Sequence, residues 1–96
     1  MPACQALQGT RCEQPALAGD PSRLATVLLA LRQVADAEGN LVDTRRFSAL
    51  RVSPDEVELT LSFPRRCGPS QLLAEDTFQV LRRALPDTDV YVRHAP

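Results

Sequence analysis

The sequence has almost no net charge, no long apolar run and few cysteines, and each shortage excludes a class of protein. Twelve acidic and 11 basic residues give a formal net charge of −1, so no overall field attracts nucleic acid or anionic lipid. No apolar run approaches the ~20 residues of a membrane-spanning helix. The N-terminal stretch also lacks the basic and apolar regions of a signal peptide. We therefore expect a cytoplasmic protein with no nucleic-acid or membrane partner.

Several motifs that would identify an activity are also missing from the sequence. There is no GxxxxGK[ST] loop, so any ATP-dependent step would belong to a partner protein. The GxxG loop of KH-type RNA-binding modules does not occur either. All 11 basic residues are Arg, and we expect their adjacent pairs to be solvated surface side chains with acidic neighbours: Arg45–Arg46, Arg65–Arg66 and Arg82–Arg83.

The cysteines are too few, and odd in number, for a disulfide framework. Cys4 and Cys12 are spaced more widely than the CxxC pairs of zinc and iron–sulfur motifs. A site made from these two residues, Cys67 and His94 is conceivable, but two plain thiols in an N-terminal arm are the preferred interpretation. His94, the only histidine, could pair with Cys67 in a hydrolase. Its place near the C-terminus favours a frayed residue, and we expect no enzyme.

A chain of 96 residues is long enough for one domain. Residues 1–20 show no sustained hydrophobic period and are predicted to be a flexible N-terminal arm, followed by a folded domain over residues 21–96. The domain begins with a predicted helix, Pro21–Ala37, which Asp20 or Ser22 can cap. Gly39 provides a left-handed C-cap for the end of this helix.

The rest of the domain is predicted to contain three strands and a second helix. Phe47, Leu50 and Val52 do not alternate cleanly, which indicates a short or bulged strand. A turn over residues 53–56 leads to a strand in which Val57, Leu59, Leu61 and Phe63 alternate with polar residues. The second helix covers about Ser70–Leu85, and Val90 and Val92 mark the third strand. The predicted fold is α+β: a two-layer sandwich of order α-β-β-α-β, with two helices on one face of a small three-stranded sheet.

Residues 24–92 also carry a family pattern. Leu31, Val34, Asp36 and Glu38 fit a helix ending in "aLxxVxDPE", Cys67 occupies a loop before the second helix, and Leu85, Pro86, Val90 and Val92 fit an ending close to "lPgvxxVxV". In these motifs the chain resembles the iron–sulfur cluster assembly (FSCA) domain family, as in PaaD-like and SufT-like proteins and the N-terminal domain of Mrp/ApbC-type cluster carriers. The chain departs from the pattern in four places. Ala37 replaces Pro, and Gly68 separates Cys67 from Pro69. Residues 61–66 lack the Thr usually found before the Cys, and Asp87 or Thr88 replaces the Gly of the last motif.

The resemblance implies a non-enzymatic accessory protein that helps to assemble an iron–sulfur cluster or transfers it to apo-protein clients. Cys67 would be the metal ligand, because neighbouring cations and a helix start stabilise the thiolate. Arg65 and Arg66 would support it, and Asp36 and Glu38 would supply oxygen ligands or partner contacts. There are two alternatives. The Cys67 thiol could have only a packing role, and the carboxylates of Asp36 and Glu38 could only solvate the end of a helix.

One cysteine cannot hold a cluster, which commonly needs four thiolates. The resemblance therefore implies a transient cluster or iron, none bound stably by one chain, and either a homodimer or the ligands of a client. The expected partners are iron–sulfur apo-proteins or a nucleotide-binding cluster carrier. The alternative function is a protein-interaction module that keeps the same fold without metal chemistry.

Overall fold

The computed structural model describes residues 12–64 and 68–95, which form six strands and two helices. In chain order these are β1 (Ala16–Gly19), α1 (Pro21–Leu31), β2 (Ala35–Asp36), β3 (Gly39–Asn40), β4 (Phe47–Val52), β5 (Glu56–Pro64), α2 (Gly68–Ala84) and β6 (Asp89–Ala95). Four residues of the predicted sites lie outside the described ranges: Cys4, Arg65, Arg66 and Cys67.

Four of the strands form one mixed sheet in the order β1-β4-β5-β6. β4 and β5 are antiparallel, whereas β1 runs parallel to β4 and β6 runs parallel to β5. The prediction of two helices with a sheet is confirmed, and the third predicted strand, β6, lies beside the second. The three-stranded sheet and the α-β-β-α-β order are wrong, because β1 precedes α1 and the separate hairpin β2–β3 follows it.

β1 could not be predicted from the sequence, because its pairing with β4 depends on backbone groups rather than on buried side chains. All four of its residues are exposed, so it lacks the apolar alternation that marks a half-buried strand. Gly19 lies opposite Val52 in the parallel register with β4 and has a φ of +130°. A Cβ at this position would overlap the Val52 carbonyl oxygen. The close approach of β1 to β4 therefore requires glycine.

The central hairpin of the sheet follows the sequence pattern. Alternate residues of β5 are fully buried, and their neighbours Leu50 and Val52 on β4 pair with Leu59 and Val57. The register shifts between Phe47 and Ala49, which confirms the predicted bulge. The predicted turn is also confirmed, since the amide of Ser53 donates to the Glu56 carbonyl at 2.8 Å.

Helix α1 begins as predicted and ends six residues early. Its cap is Asp20, whose carboxylate accepts a hydrogen bond from the Arg23 amide at 3.1 Å. The helix ends at Leu31 rather than at Ala37, because the chain turns there to form β2–β3. Gly39, with a φ of +125°, belongs to that hairpin and is not a helix C-cap.

Helix α2 covers Gly68–Ala84 and agrees closely with the predicted second helix. Its buried face includes Leu73, Thr77 and Leu81, and it packs against α1, β5 and β6. The core lies between the two helices and the face of the sheet that carries the buried side chains of β5. Within the described ranges, neither helix is long and apolar enough to cross a membrane.

Candidate functional site

The hairpin β2–β3 carries the two acidic residues that the sequence singled out, and Asp36 is bound there to Arg46. The Arg46 guanidinium binds Asp36 through both arms: Nη1 donates to Oδ2 at 2.7 Å and Nη2 to Oδ1 at 2.9 Å. Only 2% of the Arg46 side chain is exposed, against 25% of the Asp36 side chain. The pair is therefore a bidentate ion pair between a buried guanidinium and a partly exposed carboxylate, and bidentate pairs are among the stronger hydrogen-bonded contacts.

Two further hydrogen bonds hold the Arg46 guanidinium in place. Its Nε donates to Thr44 Oγ1 at 2.8 Å, and Nη2 also donates to the Gly39 carbonyl at 2.9 Å. The expectation that the pair Arg45–Arg46 consists of solvated side chains is thus wrong for Arg46. Sequence reasoning missed this residue because a buried Arg and a surface Arg look alike until their acidic partner is located in the fold.

Both oxygens of Asp36 are occupied, since Oδ1 accepts a further hydrogen bond from the Glu38 amide at 2.9 Å. The hydrogen bonds from Arg46 hold the pKa of Asp36 below its usual value, against the opposing effect of burial. These three hydrogen bonds use three of the roughly four lone-pair positions of the carboxylate, and the remaining one is on Oδ2. Asp36 acts structurally as the residue that fixes the β2–β3 turn, whereas the Glu38 side chain is exposed at the tip.

The Asp36–Arg46 pair lies at the end of the sheet where β5 finishes. The amide of Ser62 donates to the Arg46 carbonyl at 3.0 Å, and Pro64 pairs with Ala95 of β6. Residues 65–67 follow Pro64 directly, and Cys67 precedes Gly68, the first residue of α2. The structure thus brings Asp36, Glu38 and Arg46 to the sheet end from which the chain continues towards Cys67.

His94 lies at the same end of the sheet and is not a frayed terminal residue. It belongs to β6, is half-buried, and meets the Phe63 ring edge to face with centroids 5.8 Å apart. Its buried Nδ1 has no hydrogen-bond partner among the residues that the structure describes. The signal was present in the sequence, because alternation from Val90 and Val92 places His94 on the same face of the strand.

A groove opens beside His94, between α2 and β6. Its cavity has a volume of about 430 Å³, and its walls include Ala74, Phe78 and Val92. Clefts of this size and lining are the usual form of a binding site. This groove is therefore a candidate surface for contact with a partner, in addition to the hairpin that carries Asp36 and Glu38.

The described residues contain no group of three or more His, Cys, Asp or Glu side chains placed to hold a metal ion. Cys12 is a free, half-buried thiol whose amide donates to the Arg45 carbonyl at 2.8 Å. Its backbone is thus bound near the end of the β3–β4 connection, one residue before Arg46.

Comparisons of this chain with protein-family models, curated proteins and solved structures returned no match. Its function is therefore argued from its own residues and from the motifs that they form.

Proposed function

We propose that this chain is a non-enzymatic accessory protein of iron–sulfur cluster assembly or transfer, which acts on apo-protein clients through Cys67. The observation that carries the proposal is the position of Cys67 in the chain. In the sequence it follows β5, which ends at Pro64, and directly precedes α2, a helix of 17 residues. A helix N-terminus and adjacent cations lower thiol pKa values, and Arg65 and Arg66 immediately precede Cys67.

In this proposal the acidic residues have separate roles. Asp36 is a positioning residue, because two hydrogen bonds from Arg46 and one from the Glu38 amide hold its carboxylate in place. Glu38 is exposed at the turn that Asp36 fixes, so it supplies the polar contact to a client. The two acidic residues of the motif, Asp36 half-buried and Glu38 exposed, thus have different roles in this proposal.

The cluster, or iron alone, is cargo in this mechanism and not a resident cofactor. A single thiolate per chain is one ligand of the four that a cluster commonly needs. The remaining ligands come from the client or from a nucleotide-binding carrier, so the cluster is released when the client provides a full set. A reducing compartment such as the cytoplasm keeps Cys67 available as a thiol.

The test is anaerobic reconstitution of the full chain with ferrous iron and sulfide, with glutathione supplying the other thiolates. The wild-type chain should develop a visible absorption band, and Cys67→Ser should lose most of it. Cys12→Ser is the matched control and should retain the band, since Cys12 is half-buried and bonded into the β3–β4 connection. Equal absorption by Cys67→Ser and the wild type would contradict the role of Cys67.

The second candidate is a protein-interaction module that keeps this fold without metal chemistry. The groove between α2 and β6 favours it, because this cleft exists whether or not Cys67 binds iron. The rate at which iodoacetamide alkylates Cys67 at neutral pH, followed by peptide mass mapping, separates the two functions. Fast alkylation indicates a thiolate and supports the cluster role, whereas alkylation slower than that of a free cysteine peptide supports the interaction module.

A further inference from the structure

Strand β6 is an edge of the sheet, and within the described residues only β5 pairs with it. The amide of Asp89 donates to the Asp55 carbonyl at 2.9 Å, on the β5 side. Successive residues of a strand direct their backbone groups to opposite sides. The N–H and C=O groups of Val90, Val92 and His94 therefore point to the free edge. Such an edge is a template for another strand.

The groove beside this edge runs along the whole strand. The cavity of about 430 Å³ next to His94 continues into a second one of about 390 Å³ near Asp87, and the two share Phe78, Val90 and Tyr91. Tyr91 is 42% exposed, on the opposite face of the strand from the valines. The edge thus combines unpaired backbone groups with apolar surface on both faces.

The charges on β6 are arranged symmetrically about Tyr91. Asp89 lies two residues before it and Arg93 two residues after it, and all three are exposed on one face. If a second β6 pairs antiparallel about a twofold axis at Tyr91, Asp89 of each copy lies opposite Arg93 of the other. A twofold interface repeats each contact, so it requires such a self-complementary pattern.

The backbone agrees with the same register. An axis at Tyr91 places Val90 of each copy opposite Val92 of the other, and these are the residues whose N–H and C=O groups face the edge. Directly opposite residues of this kind exchange two hydrogen bonds in an antiparallel ladder. Asp89 and Arg93 then form non-hydrogen-bonded pairs, in which side chains approach most closely.

Helix α2 shows an independent, matching pattern along the groove. Glu75 lines the cavity near His94, Arg82 lines the cavity near Asp87, and Phe78 between them lines both. The twofold axis that relates the strands makes the two α2 helices antiparallel. It therefore brings the Glu75 end of one helix towards the Arg82 end of the other, with Phe78 near the centre.

We infer that β6 and its groove form a homodimer interface, in which a second copy of this chain extends the sheet by antiparallel β6–β6 pairing about Tyr91. The dimer also relieves an unfavourable contact, because Glu56 and Asp89 lie side by side in the β5–β6 register. Neither carboxylate has an ion-pair partner in the described part of the chain. Arg93 of the second copy, whose Nε lies 3.3 Å from Glu58 Oε1 in its own chain, is 61% exposed and brings a cation to these two carboxylates.

The interface determines how far apart the two ends of β5 lie in the dimer. What this means for cluster transfer rests on the proposed function. Antiparallel pairing places the two Ala95 residues about 27 Å apart along the joined strands, at ~3.4 Å per residue. Each Pro64 pairs with its own Ala95, so the two ends of β5 lie at opposite ends of the dimer. The dimer therefore separates the two strand ends at Pro64, and in the proposed function each chain works with client ligands rather than with the second copy.

The inference is tested by charge exchange in the full chain, with the oligomeric state measured by sedimentation equilibrium over a wide concentration range. The wild type should show a monomer–dimer equilibrium. Asp89→Arg places two arginines opposite each other, and Arg93→Asp places two aspartates opposite each other. Each single variant should raise the dimer Kd by about tenfold or more, because like charges at an interface cost well over the ~1.4 kcal/mol that corresponds to tenfold.

Two combinations provide the decisive result. The double variant Asp89→Arg/Arg93→Asp should dimerise like the wild type. An equal mixture of the two single variants should form a heterodimer, visible by native mass spectrometry, because every pair across that interface is then attractive. Arg23→Asp, on the exposed start of α1, is the control and should leave the Kd unchanged, and circular dichroism confirms that each variant folds.

A wild-type chain that is monomeric at every concentration would overturn the inference, and so would single variants that dimerise like the wild type. Failure of the mixture to form a heterodimer would overturn it as well. None of these measurements involves iron or Cys67, so their outcome is independent of the cluster role.

Discussion

Replacing Asp36 by Ala should lower the free energy of unfolding more than any other substitution of an acidic residue that the structure describes. The reason is that this change leaves Arg46 buried without its counter-ion. Arg46 is 2% exposed and makes two of its hydrogen bonds to Asp36. Loss of one partner of a buried ion pair typically costs about 3–5 kcal/mol. A domain of this length has a free energy of unfolding of about 5–14 kcal/mol, so the variant should be only marginally folded.

The measurement is urea denaturation followed by circular dichroism. Asp36→Ala should lower the unfolding midpoint strongly, whereas Glu38→Ala should stay within about 0.5 kcal/mol of the wild type as an exposed surface substitution. The Glu38 variant is a matched control, since it removes the same charge two residues away and keeps the amide that binds Asp36. A loss of less than about 1 kcal/mol in Asp36→Ala would refute a structural role for the ion pair.

The same pair determines how stability depends on pH. The pKa of Asp36 is lower in the folded chain than in the unfolded chain, where it is about 3.9. The unfolded state therefore binds the proton more readily, so the stabilisation is present above that pH and is lost as the pH falls through the folded pKa. Wild-type stability should drop in this acidic window, and Asp36→Ala should show a shallower drop. Parallel curves for the two proteins would contradict this linkage.

Two further substitutions test the sheet and the core. Gly19→Ala should destabilise the domain by about 1–3 kcal/mol, because an alanine would have to keep a φ of +130° and its Cβ would overlap the Val52 carbonyl oxygen. An unchanged melting temperature would show that β1 does not pair with β4. Leu59→Ala, at a fully buried position, should cost about 2–5 kcal/mol, whereas its control Leu72→Ala, where the side chain is 66% exposed, should cost little. Similar urea midpoints for these two variants would contradict the described core.

The central hairpin and α2 could be predicted from the sequence because their signals are local. The side chains of β5 alternate between buried and exposed, and those of α2 recur at three- and four-residue steps, so each element identifies its own buried face. β1 has no such signal, since its exposed residues are held by backbone pairing to a strand about 30 residues away. The end of α1 was mispredicted because Val34 continues the helical spacing, although the chain has already turned.

The candidate site was only partly predictable for the same reason. The motif identified Asp36 and Glu38 as a pair, but their different roles depend on Arg46, which lies ten residues from Asp36 and packs against it only in the folded chain. A sequence shows which residues can form an ion pair. It does not show which arginine becomes desolvated, since desolvation depends on burial in the complete fold.

In the proposed function Cys67 passes iron–sulfur cargo to clients. Cluster transfer to an apo-ferredoxin tests this role of Cys67 most directly. The chain is loaded anaerobically with iron and sulfide in the presence of glutathione, mixed with the apo-ferredoxin, and the recovery of ferredoxin electron-transfer activity is followed with time. Recovery should be faster with the wild type and with Cys12→Ser than with iron, sulfide and glutathione alone, and Cys67→Ser should give no acceleration. Equal acceleration by Cys67→Ser would show that Cys67 has no part in the transfer.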